Sequence, residues 1–129
     1  MRHKHKQTIK LNTGIKKKSV FKREMLTNLI RSGVVTTTPK RAKVLKAEAD
    51  AFFSHIIDLA TRYAEATDGK REAIAYTKSM IFGNEEGKKA INIYLPKYLD
   101  AKKTSSFVEN YKLGTRKGDG VEKIMLKLL

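Results

Sequence analysis

From Ala42 to Tyr63 the side chains Ala42, Leu45, Ala49, Phe52, Phe53, Ile56, Leu59, Ala60 and Tyr63 recur every three or four residues. That spacing places them on one face of an α-helix. Thr38-Pro39 stands just ahead, an N-cap followed by a proline at the first helical position, where its missing N–H has no partner to lose. The pattern predicts one helix of about 26 residues, roughly 40 Å long. Its apolar stripe must be covered, so the other elements have to be arranged around it.

Phe21, Met25, Leu26, Leu29 and Ile30 repeat the period between Ser19, a candidate N-cap, and Gly33, a candidate stop. Lys22, Arg23 and Arg31 fall opposite, so this first helix is read with an apolar face for a core and a basic face for a polyanion. Val34-Val35-Thr36-Thr37 is β-branched and too short for a helix, which predicts a brief strand over 34–37. Asp68-Gly69 is expected to end the long helical region. Ala73, Ile74, Thr77, Met80 and Ile81 then predict a third helix stopped by Gly83-Asn84, and a shorter fourth, over 86–95, should close at Pro96. Residues 97–104 read as irregular.

Two strands are expected at the end of the chain. Phe107, Tyr111 and Leu113 share one face of the first (106–113), and Ile124, Leu126 and Leu128 share one face of the second (121–128). The stretch from Gly114 to Gly120 between them is rich in turn formers, with Arg116 and Lys117 at the tip. A lone hairpin is marginal, so strand 34–37 should add to it and the helices should cover one face. The expected class is α+β in two layers: helix, strand, three helices and β-hairpin, with a small three-stranded sheet covered by helices and an extended basic N-terminal arm.

The chain has 129 residues, enough for one domain. It carries 28 Lys and Arg against 13 Asp and Glu, a formal net charge of +15. Residues 1–46 hold 14 of the cations and a single acid, Glu24, whereas residues 47–129 hold 14 cations and 12 acids. A field concentrated in this way attracts a polyanion and displaces its counterions, so nucleic acid is the expected partner. In residues 1–18 the cations Arg2, Lys4, Lys6, Lys10, Lys16, Lys17 and Lys18, with His3, surround only scattered Ile9, Leu11 and Ile15. So little apolar surface cannot order a segment by itself. Residues 1–18 are therefore read as an arm reaching up to roughly 60 Å, and 19–129 as the globular domain. A transit peptide is the alternative for this segment, but such peptides favour Arg, Ser and an amphipathic helix, and here Gly14 interrupts a mostly lysine run.

Lys40, Arg41, Lys43 and Lys46 occupy the first turns of the long helix. Cations there oppose the helix dipole by up to about 1 kcal/mol each. The arrangement makes sense beside a phosphate backbone, which free N–H groups, dipole and cations all favour. A merely solvated face is the alternative.

Other classes find little support. No apolar run approaches the roughly 18 residues that would span a bilayer, and no apolar core of a signal peptide follows the basic start, so neither a membrane nor export is expected. The chain contains no cysteine, which excludes disulfides and thiolate metal sites. No nucleophile with a base, no spaced carboxylates and no phosphate-binding glycine loop occur, so no enzyme, cofactor or small-molecule substrate is expected. Glu85-Glu86 read as first-turn acids complementing a helix dipole. His3 and His5 lack a third ligand nearby and sit among cations, against a metal site, and His55 reads as a packed residue at the core edge. Aromatics are 8% of the chain with no aromatic-studded sheet signature, so phosphate and shape should dominate recognition.

Several segments carry a resemblance. Met1-Arg2-His3-Lys4, Leu11-Asn12, the helix ending Leu29-Ile30-Arg31, the run from Val34 to Lys43 and the run from Leu113 to Asp119 resemble the bacterial large-subunit ribosomal protein seventeen family, over almost the whole chain and weakly at 64–104. The resemblance implies the same fold, binding to large-subunit rRNA near the outer rim of the peptide exit tunnel, and ribosomal protein thirty-two as a neighbour. It adds Asn12 to the cations as an rRNA contact. The family usually has Asn-Arg and then His-Arg before the first helix, where this chain has Asn12-Thr13 and Lys17-Lys18, so bidentate arginine contacts give way to point charges. The family's Gly-Gly-Tyr-Thr-Arg entrance to the hairpin is Ser105-Ser106-Phe107-Val108-Glu109 here, against an RNA contact at Glu109. The expected function is a structural, rRNA-binding constituent of the large ribosomal subunit, in the cytoplasm. The alternative is a free-standing architectural nucleic-acid-binding protein.

Overall fold

The computed structural model of the chain describes residues 17–63 and 65–129. The elements run α1 (Lys18–Ser32), β1 (Val34–Thr37), α2 (Pro39–Arg62), α3 (Ala66–Met80), α4 (Asn84–Lys89), a π-helical turn (Ala90–Tyr94), α5 (Leu95–Asp100), β2 (Val108–Thr115) and β3 (Glu122–Leu128). Since α4, the π-turn and α5 are continuous, the order is helix, strand, three helices and hairpin, and the class is α+β, as the sequence predicts.

Helix α1 starts ahead of Ser19. Lys17 holds the cap position, its carbonyl accepting from the Phe21 N–H at 2.9 Å, and no side chain caps the helix. At the other end Gly33 takes φ +74° and donates its N–H to the Leu29 carbonyl at 2.7 Å, the left-handed stop that glycine allows. Thr38 and Pro39 start α2 as expected.

Asp68-Gly69 does not end a helix. α2 stops at Arg62, and both residues lie inside α3. Gly69 serves close packing instead, because the two helices approach until a Cβ on Gly69 would stand 2.7 Å from the Ala60 carbonyl oxygen. Pro96 does not close the next helix either. It sits in the first turn of α5, directly after the π-turn, in which the Leu95 N–H reaches back to the Ala90 carbonyl. The widened turn shifts the hydrogen-bond ladder by one residue, which makes room for the pyrrolidine ring and absorbs its missing N–H.

Helix α5 therefore occupies part of the segment expected to be irregular, and it delivers Tyr98, 1% exposed, into the core. There Phe53, Tyr98 and Phe107 pack with ring centroids 4.9–5.7 Å apart. Burying each such ring contributes about 1.5–3 kcal/mol. Leu26, Leu29, Ile30, Leu45, Phe52 and Ile56 complete the centre of this core, the faces that helical spacing marks for α1 and α2. His55 departs from expectation, since it is exposed, although its ring centroid lies 4.2 Å from that of Tyr76.

The sheet order is β1-β3-β2, antiparallel throughout, so the last strand is central. Ile124, Leu126 and Leu128 are buried against the helices as predicted. Strand β2 differs. Phe107 is buried but precedes the strand, while Tyr111 and Leu113 are 43% and 50% exposed. A bulge between Lys112 and Gly114 breaks the alternation there. From Asn110 to Gly120 every residue is exposed, so the distal hairpin runs out beyond the helical layer.

Candidate nucleic-acid interface

The strand register brings separate parts of the sequence together. Thr37, the last residue of β1, pairs with Ile124, and Lys112 pairs with Ile124 on its other side. The chain leaves β1 at that end of the sheet to begin α2 at Pro39, and the hairpin projects past β1 at the same end, where Gly114 pairs with Lys123 and Thr115 with Glu122. The first turn of α2, with Lys40 and Arg41, thus shares an end of the fold with Arg116 and Lys117 at the hairpin tip. The start of α1 is there too, since the Arg41 guanidinium lies 5.0 Å from the centroid of the Phe21 ring.

The fold treats the expected rRNA contacts differently. Arg2, His3, Lys4, Lys6, Lys10, Asn12 and Lys16 lie outside the described residues. Lys17, Lys40, Arg41 and Lys43 are exposed and Lys46 is partly buried, and among the described residues none of these five is within ion-pair distance of a carboxylate. Lys18 is the first residue of α1. The remaining cations, apart from Lys117, are engaged within the protein.

Lys22 pairs with Glu48 at 2.9 Å, linking α1 to α2. The Arg23 guanidinium lies 4.1 Å from the Phe82 ring centroid, and its Nε is buried without a hydrogen-bond partner among the described residues. Arg31 donates through Nε to Glu86 Oε1 at 2.6 Å, and Lys89 donates to the Arg31 carbonyl at 2.8 Å. The hydrogen bond from Arg31 holds the Glu86 carboxyl below its ordinary range. Helix α1 consequently lacks the free basic face that its sequence implies. Three of its cations bind neighbouring elements, because the fold places Glu48, Phe82 and Glu86 beside them.

At the hairpin tip Arg116 donates through Nε to Asp119 Oδ1 at 3.0 Å and makes a second contact with the same carboxylate. This bonding lowers the Asp119 pKa to about 2, helped by the Val121 N–H. Lys117 is exposed. Sequence reasoning overlooked Lys112 and Lys123, both exposed and both at this end of the sheet. Only the register places them there, and the bulge disguises it.

Among the cations expected from sequence, those left unpaired in the described residues therefore stand at one end, around the start of α2, where no acid occupies the first turn. Oriented N–H groups, the positive end of a long helix and unpaired lysines are each groups that favour an anion. No helix among the described residues is long and apolar enough to cross a membrane.

Comparison with known proteins shows what the chain is similar to. The family model described as Ribosomal protein L17 matches residues 21–129. The large ribosomal subunit protein bL17 of Clostridium tetani is 31% identical over 107 residues, covering 83% of this chain and 84% of its own length. The protein of that name from Carboxydothermus hydrogenoformans is 29% identical over 107 residues, 83% of this chain and 85% of its own. That of Clostridium perfringens is 28% identical over 120 residues, 93% and 96% of the two chains.

Proposed function

The chain belongs to the ribosomal protein L17 family, and on that premise we propose that it is a non-enzymatic structural constituent of the large ribosomal subunit that binds and stabilises folded rRNA through phosphate contacts. One observation carries the phosphate reading: the unpaired Lys40, Arg41 and Lys43 at the start of α2 share an end of the sheet with the basic hairpin. Lys17 and Lys46 extend this surface, and the arm of residues 1–18 lengthens the footprint. Arg23 and Arg31 would support it indirectly, through the packing of α1.

Cosedimentation of the full chain with large subunits over a range of salt tests this. The expected result is binding whose logarithm falls linearly with the logarithm of salt, with a slope of roughly 0.7–0.9 for each phosphate neutralised. A chain that stays off the subunit, or binds without salt dependence, overturns the proposal. A pool bound to nucleoid DNA instead would support the free-standing architectural reading. We extend the proposal, on family resemblance, to a position near the outer rim of the peptide exit tunnel beside ribosomal protein thirty-two. Cross-linking within intact subunits tests that placement.

A further inference from the structure

A cavity of about 680 Å³ opens between α3 and the helix that runs from α4 into the π-turn, a volume within the usual range of roughly 300–1,000 Å³ for ligand sites. Buried Ile81 and Ile91 form its apolar interior, and Phe82, 37% exposed, adds an aromatic ring. The guanidinium of Arg23 lies 4.1 Å from the centroid of that ring. Asn84 and Asn92 bring exposed amide side chains to the same space, Asn92 from within the π-turn. Exposed Lys70, Lys78 and Lys88 complete the lining, which contains no carboxylate.

We infer that this cavity receives a single unpaired base of an RNA strand, packed on Phe82 and the isoleucines, with its edge bonded by the asparagine amides and its flanking phosphates met by the three lysines. Aromatic surface, amide groups and cations around one pocket are what a splayed-out nucleotide requires, since its base stacks, its edge hydrogen-bonds and its backbone is anionic. An acidic peptide would answer the lysines but gives the exposed ring and paired amides no comparable task. The inference rests on the RNA-binding reading above, yet it uses a region whose charges nearly balance in sequence. It also adds a base contact to an interface that composition alone reads as phosphate and shape.

The test uses the full chain, a single-stranded oligoadenylate and the same strand annealed to oligouridylate, followed by backbone amide shifts. The single strand should move the amides of Gly83, Gly87 and Asn92, and the duplex only those around Lys40 and Lys43. Gly87→Leu fills the space without changing charge, and a Cβ at this helical position meets nothing closer than Thr77 Cγ2 at 3.7 Å. It should weaken single-strand binding about fivefold or more, the lower end of what stacking a base on an aromatic contributes, and leave duplex binding unchanged. If that variant unfolds, Lys78→Gln with Lys88→Gln should weaken the single strand more than the duplex. Unmoved cavity amides, variants that bind like the parent, or a cavity that answers an acidic peptide and not RNA would overturn the inference. A parent chain that binds neither RNA would overturn the underlying RNA reading instead.

Discussion

Gly69 in α3 lies against the backbone of Ala60 in α2, so close that a Cβ would stand 2.7 Å from the Ala60 carbonyl oxygen. Atoms at that distance must move apart. Gly69→Ala should therefore destabilise the protein by about 1–2 kcal/mol, because a clash with backbone puts overpacking at roughly 2–3 kcal/mol, the upper part of its usual range, against the roughly 1 kcal/mol by which alanine favours a helix. Thermal unfolding of the purified chain checks this, and an unchanged or raised Tm would show that the two helices separate freely.

Tyr98 should be sensitive in two separable ways. Its hydroxyl donates to the Leu129 carbonyl at 2.9 Å, while its ring is buried against Phe53 and Phe107. Tyr98→Phe should cost about 0.5–1.5 kcal/mol for the hydrogen bond, and Tyr98→Ala about 3–5 kcal/mol for the missing ring and the cavity left behind. Denaturant unfolding of both variants separates the contributions. Equal losses would mean that the hydroxyl matters more than the ring.

The hairpin tip should respond to acid. Bonding to Arg116 lowers the Asp119 pKa from 3.8 to about 2, so a depressed folded value makes the ion pair complete above the ordinary aspartate range. The pairing then weakens progressively as pH falls from about 4 towards 2. A carboxyl carbon titration should give Asp119 a midpoint near 2, moving back towards the ordinary value in Arg116→Gln. A midpoint near 4 in the parent chain would mean that the pair does not persist in solution. Both groups are exposed, so the effect should stay local to the loop.

Charge at the start of α2 should matter more than equal charge elsewhere. Lys40→Gln with Lys43→Gln is expected to lower the logarithmic salt slope of rRNA binding by roughly 0.7–0.9 for each phosphate no longer neutralised. Lys97→Gln, an exposed lysine in α5, should leave it near the parent value. Deleting residues 2–16 should reduce the slope further while the far-ultraviolet circular dichroism of the domain persists. Identical slopes in all these proteins would refute the one-ended footprint.

Local patterns were the most legible part of this protein. The starts of α2 and β1 and the stop at Gly33 follow from Thr38-Pro39, a β-branched run and a glycine able to turn left-handed. The same kind of reasoning failed at Gly69 and Pro96. A glycine can end a helix or let two helices touch, and a proline can end a helix or follow a π-turn. Which occurs depends on what lies opposite, and no local pattern contains that.

Charge shows the same division. Order along the chain determined by itself that the front third is cationic and that its helices have apolar faces, because composition and spacing are properties of neighbouring residues. Tertiary structure alone decided that Lys22 and Arg31 are taken up by Glu48 and Glu86, and that Lys112 and Lys123 stand at the end of the sheet where α2 begins. Ion pairs arise between residues as far as 55 apart in the chain and strand register between residues farther apart still, Val34 with Lys127, and their geometry exists only once the core has set how helices cross and strands align.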